Sequence, residues 1–442
     1  MIDYRRIIDR ISPGKDEKAM YDMVAKEAMK RTEKFLGTEG ISAVPVPVGS
    51  ASRDTNLSHS LRNSDVDIFV VFPRDLPRNE LRRMGLRTGH AVLPEGVEKY
   101  AEHPYVSGFI QGVKVDVVPC YSMKEGEEKI SAVDRTVLHN EYLKGVLNSS
   151  LRGEIRLLKA FLITAGIYGS EVSKSGFSGL VTELLVLRTG SFENAIRVIA
   201  GGKGRISIPD SVELKKKFPD PIVVPDPVDP DRNAAAGISE ENLSRLRIAG
   251  KLYLRSPSDD FFIPATKKPA KRGGSHDRGT AFRLVIIPKP DEVDDVVYPQ
   301  ANRFRKIMIS ILEGSGFIPV SSAIFLQDSI LILIECERPS LPGVEKHHGP
   351  PADSDNALDF IDKWSSSPKT MRGPYVEGNR LVVEKEREVT DIETAILSGI
   401  AGTSIGKHLD GLKDRIRIID PVRSGKYGEI MESYLSRGIM DS

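Results

Sequence analysis

Asp65 and Asp67 stand two apart at the opening of an apolar run, residues 68–72, inside the stretch VGSASRDTNLSHSLRNSDVDIFVVF, residues 48–72. The run reads as a buried strand. Side chains two apart on a strand share a face, with their bases roughly 6–7 Å apart at a rise of ~3.3 Å per residue. That spacing can flank a pair of divalent ions held about 3.5–4 Å apart. Two carboxylates at the mouth of a buried strand are costly without a cation to neutralise them. Residues 113–118 form a second short strand in which valines alternate with Lys114 and Asp116, so one face is apolar and the other carries the charges and a third acid. Upstream, Val48-Gly49-Ser50 leads into Arg53, offering backbone N–H groups, a hydroxyl and a guanidinium to a phosphate. Each signal alone is weak, because an isolated Asp-x-Asp more often caps a strand and Gly-Ser is common. Together they describe a two-metal site beside an anion-binding turn.

Such a constellation needs a sheet to hold it and helices to cover the sheet. Residues 15–36 form a helix by the stripe Met20, Val24, Ala28 and Phe35, with Gly37 as a stop, and it is expected to pack on the sheet that carries the acids. Residues 73–90 carry a helical Arg/Leu pattern. From Glu154, EIRLLKAFLITAGIYG is a helix by its Ile155, Leu158, Phe161 and Leu162 spacing, ended by Gly166. By residue type alone, Lys159 on this helix reads as a solvated lysine, and His139 as a surface or capping residue. Residues 177–188 and 192–200 continue as helices, and 234–255 return to helix with Arg245, Arg247, Lys251 and Arg255 available to phosphates. Between them PDPIVVPDPVDPDRN, residues 219–233, has the composition of a linker. Residues 264–280, PATKKPAKRGGSHDRGT, shift to Pro, Gly and Lys/Arg and mark a boundary or basic loop. Beyond it come the strand RLVIIP, a helix over 300–313, the strands FIPVSSAIFLQ and SILILIECE, a loop over 340–356 with His347-His348, the strand RLVVEKERE and a short helix over 392–398. The paired histidines point in different directions on regular structure and lack a completing ligand, so no metal is assigned to them.

The motifs resemble the nucleotidyltransferase superfamily related to polymerase beta, and more narrowly the archaeal, class I CCA-adding enzymes (tRNA nucleotidyltransferases). The resemblance runs through residues 48–72, Tyr100-Ala-Glu-His-Pro-Tyr-Val106, Val115-Asp-Val-Val-Pro-Cys-Tyr121, Ser131-Ala-Val-Asp-Arg-Thr136, Gly166-Ile-Tyr-Gly169, Gly176-Phe-Ser-Gly179 and Asp226-Pro-Val-Asp-Pro-Asp-Arg-Asn233. The first is shared across the superfamily; the later ones together are specific to the narrower family. The sequence departs in a longer loop between Ser50 and Asp65, and in Asp65 itself, where a Glu is common. The resemblance implies an α+β chain with a nucleotidyltransferase head of small mixed sheet (1–145), a helical central domain completing the nucleotide pocket (146–265), and an α+β RNA-binding body and tail (266–442). It implies addition of C, C and A to a tRNA 3′ end from CTP and ATP, with two Mg2+ ions on Asp65, Asp67 and Asp116. The nucleotide would be contacted by Gly49, Ser50, Arg53, Thr136, His139, Lys159 and Tyr168, with Arg232 reading the incoming base. It also implies a homodimer in many members. A poly(A) polymerase-like terminal nucleotidyltransferase, or a non-catalytic RNA-binding relative, are the alternatives.

Composition agrees with this reading without carrying it. At 442 residues the chain is long enough for roughly three domains. Lys and Arg number 63 against 62 acids, so RNA contact must come from local basic patches rather than from total charge. Cys120 and Cys336 are far apart in apolar settings and read as buried free thiols of a reducing cytoplasm. The N-terminus alternates charge with Ile and has no signal-peptide core, and no apolar run is long enough to span a bilayer.

Overall fold

Two β-rich segments, VDIFVVF and VKVDVVPCY, lie side by side as parallel strands at the centre of a five-stranded mixed sheet, with Asp67 directly opposite Asp116. They belong to a computed structural model that describes residues 2–100, 103–124, 127, 130–263, 278–436 and 438. The chain divides into two compact units, the first comprising the described residues up to 263 together with 438, the second residues 278–436. Most of the basic segment expected over 264–280 lies outside the described residues.

The first unit begins α1 (Tyr4–Ile11), α2 (Lys15–Thr38), β1 (Val44–Val48), α3 (Gly49–Ser52), β2 (Val66–Phe72), α4 (Arg78–Val92), β3 (Val97–Tyr100), β4 (Pro104–Ile110) and β5 (Val113–Tyr121). It continues α5 (Arg135–Val146), α6 (Ser149–Thr164), α7 (Gly179–Thr189), α8 (Phe192–Gly201), β6 (Ile206–Ser207), α9 (Val212–Lys217), β7 (Ile222–Val223) and α10 (Glu240–Arg255). The large sheet has the order β1-β2-β5-β4-β3. Period-2 alternation gives its central strands two different faces. Val66, Ile68, Val70, Val115 and Val117 pack under Tyr21, Val24, Ala28 and Leu36 of α2 and Leu81 and Val92 of α4. The opposite face carries Phe69, Val118 and Cys120 with Val133 and Val137, and the acids open this second face. The helix-to-sheet packing expected of α2 therefore holds, but its stripe is rotated: Met20 is 40% exposed, and Tyr21 and Leu36 take the core positions given to Met20 and Phe35.

The helical part surrounds α6. Residues 155–162 of this helix, Ile-Arg-Leu-Leu-Lys-Ala-Phe-Leu, are all buried, because α1, α7 and α8 cover it on several sides. A helix enclosed in this way has no solvent face, so Lys159 is buried at 2% exposure rather than solvated. Helix α10 starts at Glu240, not 234, because the Ser239 side chain accepts from the Asn242 N–H and caps it.

The second unit contains β8 (Ala281–Pro288), α11 (Asp294–Gly314), β9 (Pro319–Leu326), β10 (Ser329–Cys336), β11 (Val344–Pro351), α12 (Ala357–Ser365), β12 (Thr370–Glu377), β13 (Arg380–Glu386), α13 (Ile392–Ile400) and β14 (Arg417–Ile419). Its sheets have the orders β14-β8-β10-β9 and β11-β13-β12. The chain is thus α+β throughout. Residues 344–351, expected as loop, are an edge strand paired with β13. Gly349, Pro350 and Pro351 disguise it, and the missing proline N–H groups are tolerated at a sheet edge. On this strand the His347 ring stacks on Phe360 at 5.8 Å, an aromatic contact rather than a metal ligand. Helix α11 likewise begins before 300 and carries Pro299 inside it. Cys120 and Cys336 are buried free thiols. Among the described residues, no helix is long and apolar enough to cross a membrane.

Candidate functional site

Parallel pairing of β2 with β5 brings Asp67 and Asp116 together, and Asp65 joins them from the residue before β2. Each of the three offers a carboxylate oxygen, and these oxygens lie within 4.8 Å of one another. Asp116 is buried, and its Oδ1 has no hydrogen-bond partner among the described residues. Burial first, then the negative charges of Asp65 and Asp116, raise the Asp67 carboxyl to about 7, against the opposing pull of Lys114 and Arg53. Lys114 Nζ bridges Asp65 Oδ2 at 3.0 Å and Asp116 Oδ2 at 2.9 Å. Burial works to lower the lysine, but its bonds to the two acids outweigh that and raise it. One ammonium against three converging carboxylates leaves net negative charge and an orphaned oxygen. This donor set fits a divalent cation.

Gly49 shows how closely the neighbouring turn approaches. Its φ is +81°, and a Cβ built there would meet Asp67 Oδ2 at 2.1 Å. Only glycine satisfies both constraints. Ser50 follows in the short α3, half-buried, and its carbonyl accepts from the Thr55 N–H at 2.9 Å. Arg53 is buried at 9% exposure, with Nη1 donating to Asn140 Oδ1 at 3.0 Å and Nη2 to Glu183 Oε2 at 2.9 Å.

A second charged cluster forms around Glu183, which is fully buried on α7. Besides Arg53 it accepts from Thr55 Oγ1 at 2.5 Å and Lys159 Nζ at 3.3 Å. Lys159 also donates to the Thr55 carbonyl at 3.0 Å and to Thr55 Oγ1 at 3.1 Å, so its three donors are engaged. Burial would raise the Glu183 carboxyl, but the charges of Lys159 and Arg53 and the bonds from Thr55 and Arg53 hold it below the ordinary carboxylate range. Burial pulls Lys159 down to about 8 against the attraction of Glu183. Tyr168 follows α6; burial and then the Glu183 charge raise its phenol to about 12, and Arg62 lies over its ring at 4.9 Å.

A third group gathers around Asp226. His139 is buried on α5, its Nε2 2.7 Å from Asp226 Oδ1, instead of standing at the surface or on a cap. Arg232 Nη1 donates to Asp226 Oδ2 at 2.6 Å. Burial of Asp226 is outweighed by His139, the Val228 N–H and Arg232, which take its carboxyl down to about 2. Thr136 sits half-buried in the first turn of α5. Residues 219–233 are therefore not a linker: Asp226 and Asn233 are buried, and Arg135 pairs with Asp229 at 2.6 Å. Arg232 also lines a cavity of ≈ 830 Å3 with Phe218, Val228, Asp229 and Asn233, which includes none of the three clustered acids.

Sequence reasoning gave no role to Glu183, Asp226, Asn140 or Thr55. A lone acid inside GLVTELLVLRT was the one available signal, since a carboxylate on an otherwise apolar helix requires a partner.

Residues 29–139 match the family described as "Nucleotidyltransferase domain", residues 153–263 "tRNA nucleotidyltransferase, second domain", and residues 278–419 "CCA-adding enzyme, C-terminal domain". Proteins named CCA-adding enzyme from Picrophilus torridus and Thermoplasma acidophilum are each 44% identical over 419 residues, covering 95% of this chain and 95% of their own. One from Halobacterium salinarum is 36% identical over 427 residues, covering 96% of this chain and 92% of its own. The likeness thus extends through both compact units and the acid cluster, and the chain belongs to the archaeal CCA-adding enzymes, a family of tRNA nucleotidyltransferases.

Proposed function

We propose that the chain adds C, C and A to the 3′ end of tRNA from CTP and ATP, without a template and with release of pyrophosphate. The observation that carries the chemistry is the convergence of Asp65, Asp67 and Asp116, with an unpartnered buried oxygen on Asp116. These residues would hold two divalent cations, and Mg2+ suits an all-carboxylate set of hard oxygen ligands. When bound, such cations lower the pKa of an attacking hydroxyl and neutralise charge on a departing pyrophosphate. Asp116, on its own strand, serves the side of the attacking ribose hydroxyl.

The remaining roles fall to side chains near the acids. Gly49, Ser50 and Arg53 receive the triphosphate, and Gly49 keeps the turn close against Asp67. Tyr168 lies near enough to Arg53 and Asp65 to feel both charges, which supports its place on the same substrate. With its three donors engaged, Lys159 acts on the triphosphate through its charge and through its hold on Glu183. Thr136 and His139 contact the nucleotide from α5, and Arg232 reads the base. In this reading residues 1–145 are the catalytic head, 146–265 complete the nucleotide pocket and 266–442 bind the tRNA body; the enzyme works in the cytoplasm as a homodimer, which light scattering would test.

Extension of a tRNA transcript ending before CCA, with each labelled nucleotide alone and with CTP plus ATP, tests the reaction. Growth by two C and one A that requires a divalent cation and then stops is the expected result. Long ladders from ATP alone would replace CCA addition with a poly(A) polymerase activity, and binding without growth would leave only an RNA-binding protein.

A further inference from the structure

Asp226 divides its two carboxylate oxygens between two residues that the proposed function places on the nucleotide. Oδ1 pairs with His139 Nε2 at 2.7 Å and accepts the Val228 N–H at 3.0 Å, while Oδ2 accepts from Arg232 Nη1 at 2.6 Å. At 3% exposure, Asp226 has almost no surface with which to meet a substrate itself. Its backbone closes the same turn, since the Asp226 N–H donates to the Arg232 carbonyl at 3.0 Å and the Arg232 N–H to the Asp229 carbonyl at 3.0 Å.

The turn is fixed from outside as well. Arg135 on α5 pairs with Asp229, Arg188 on α7 donates to the Pro225 carbonyl at 2.8 Å, and buried Asn233 accepts from the Val224 and Ala235 N–H groups at 2.8 and 3.0 Å. Against this rigid frame Arg232 is the adaptable part. Its side chain is 35% exposed, and its Nε and Nη2 make no hydrogen bond to the described residues. One nitrogen tethered to a buried, hydrogen-bonded carboxylate and two nitrogens left free make a guanidinium that can read acceptors in a set orientation.

We propose that Asp226 is a positioning residue for nucleotide choice: it aims the free face of Arg232 and couples that aim to His139. This rests on the reading of Arg232 as the residue that meets the incoming base. The chemistry of the bases gives the aim its value. Cytosine N3 and adenine N1 are hydrogen-bond acceptors, whereas uracil N3–H and guanine N1–H are donors. A guanidinium N–H held towards that edge accepts C and A and opposes U and G by one rule, and a guanidinium free to swing away loses the distinction.

The test uses the full chain and a tRNA ending before CCA, and compares kcat/KM for CTP with that for UTP in Arg232→Ala, Asp226→Asn and the double variant. Asp226→Asn is expected to cut the CTP preference at least tenfold, chiefly through KM for CTP, with tRNA affinity kept. In the Arg232→Ala background the same change should cut it no further, because the orientation it supplied has nothing left to act on. Asp226→Glu, which keeps the charge but moves the carboxylate by one methylene, should fold and also lower the preference. Loss of preference in Arg232→Ala but full preference in both Asp226 variants would overturn the positioning role and leave Arg232 as the reader. Equal losses on CTP and UTP, or a further loss of preference in the double variant, would reduce Asp226 to a packing residue. An Arg232→Ala enzyme with wild-type preference would remove the base-reading role and this inference with it.

Discussion

Two of the charged clusters in the first unit, those around Asp67 and Glu183, are built on opposite principles. Around Asp67, three carboxylates converge with a single lysine among them, one buried oxygen lacks a partner, and Asp67 is driven up to about 7. Around Glu183, one carboxylate receives an arginine, a lysine and a threonine hydroxyl, and it stays below the ordinary range although it is completely enclosed. The second cluster is satisfied by the protein alone. The first keeps an excess of negative charge that a proton on Asp67 or an added cation would relieve, which is the pattern expected of a binding site rather than of a structural ion pair. Arg53 connects them: it donates to Glu183 and pulls on Asp67.

Breaking the satisfied cluster should have the larger effect on folding. Glu183→Ala leaves Lys159 and Arg53 enclosed without their anion, and a urea titration should show a loss of about 3–5 kcal/mol. Glu183→Leu combined with Lys159→Met removes both charges and should recover much of that loss. No recovery would mean that the pair matters through shape and not through charge.

Gly49→Ala acts at the turn that lies against Asp67. The substitution asks a left-handed backbone of an alanine, at a cost of roughly 1–2 kcal/mol, and pushes a methyl into Asp67 Oδ2. The unfolding midpoint should fall modestly while nucleotide incorporation falls far more. Proportional losses would indicate that the turn serves only the fold.

The unsatisfied cluster should also show itself as a pH dependence of stability. Between about 4, the ordinary aspartate value, and about 7, folded Asp67 keeps a proton that the unfolded chain has released. Stability without divalent cation should therefore decline as pH rises through this window, with the penalty complete above 7. Asp67→Asn should flatten that decline, and added divalent cation should offset it at pH 8. An identical slope in the variant would assign the dependence to other groups.

The parts legible in the sequence were those with a local period. Residues 68–72 and 113–118 announced their strands and faces, and a parallel register did the rest by setting Asp67 beside Asp116. What escaped was set by enclosure, which no window of sequence contains. Lys159 looks solvated until α6 is known to be covered on several sides, and His139 looks superficial until Asp226 is brought to it from 87 residues away. Prolines misled in both directions. They made 219–233 resemble a linker, although its aspartates are held by Arg135, His139 and Arg232, and they hid an edge strand at 344–351.

Whether the acid cluster carries out nucleotidyl transfer is decided by Asp67→Asn in the tRNA extension reaction, with tRNA binding followed in parallel. Loss of a cation ligand should remove several kcal/mol of transition-state stabilisation, about a thousandfold or more in rate. Binding of tRNA should stay near wild type, and the cation-free protein should be at least as stable as before. Incorporation at an undiminished rate by Asp67→Asn would exclude Asp67 from the reaction and leave the acid cluster without a catalytic role.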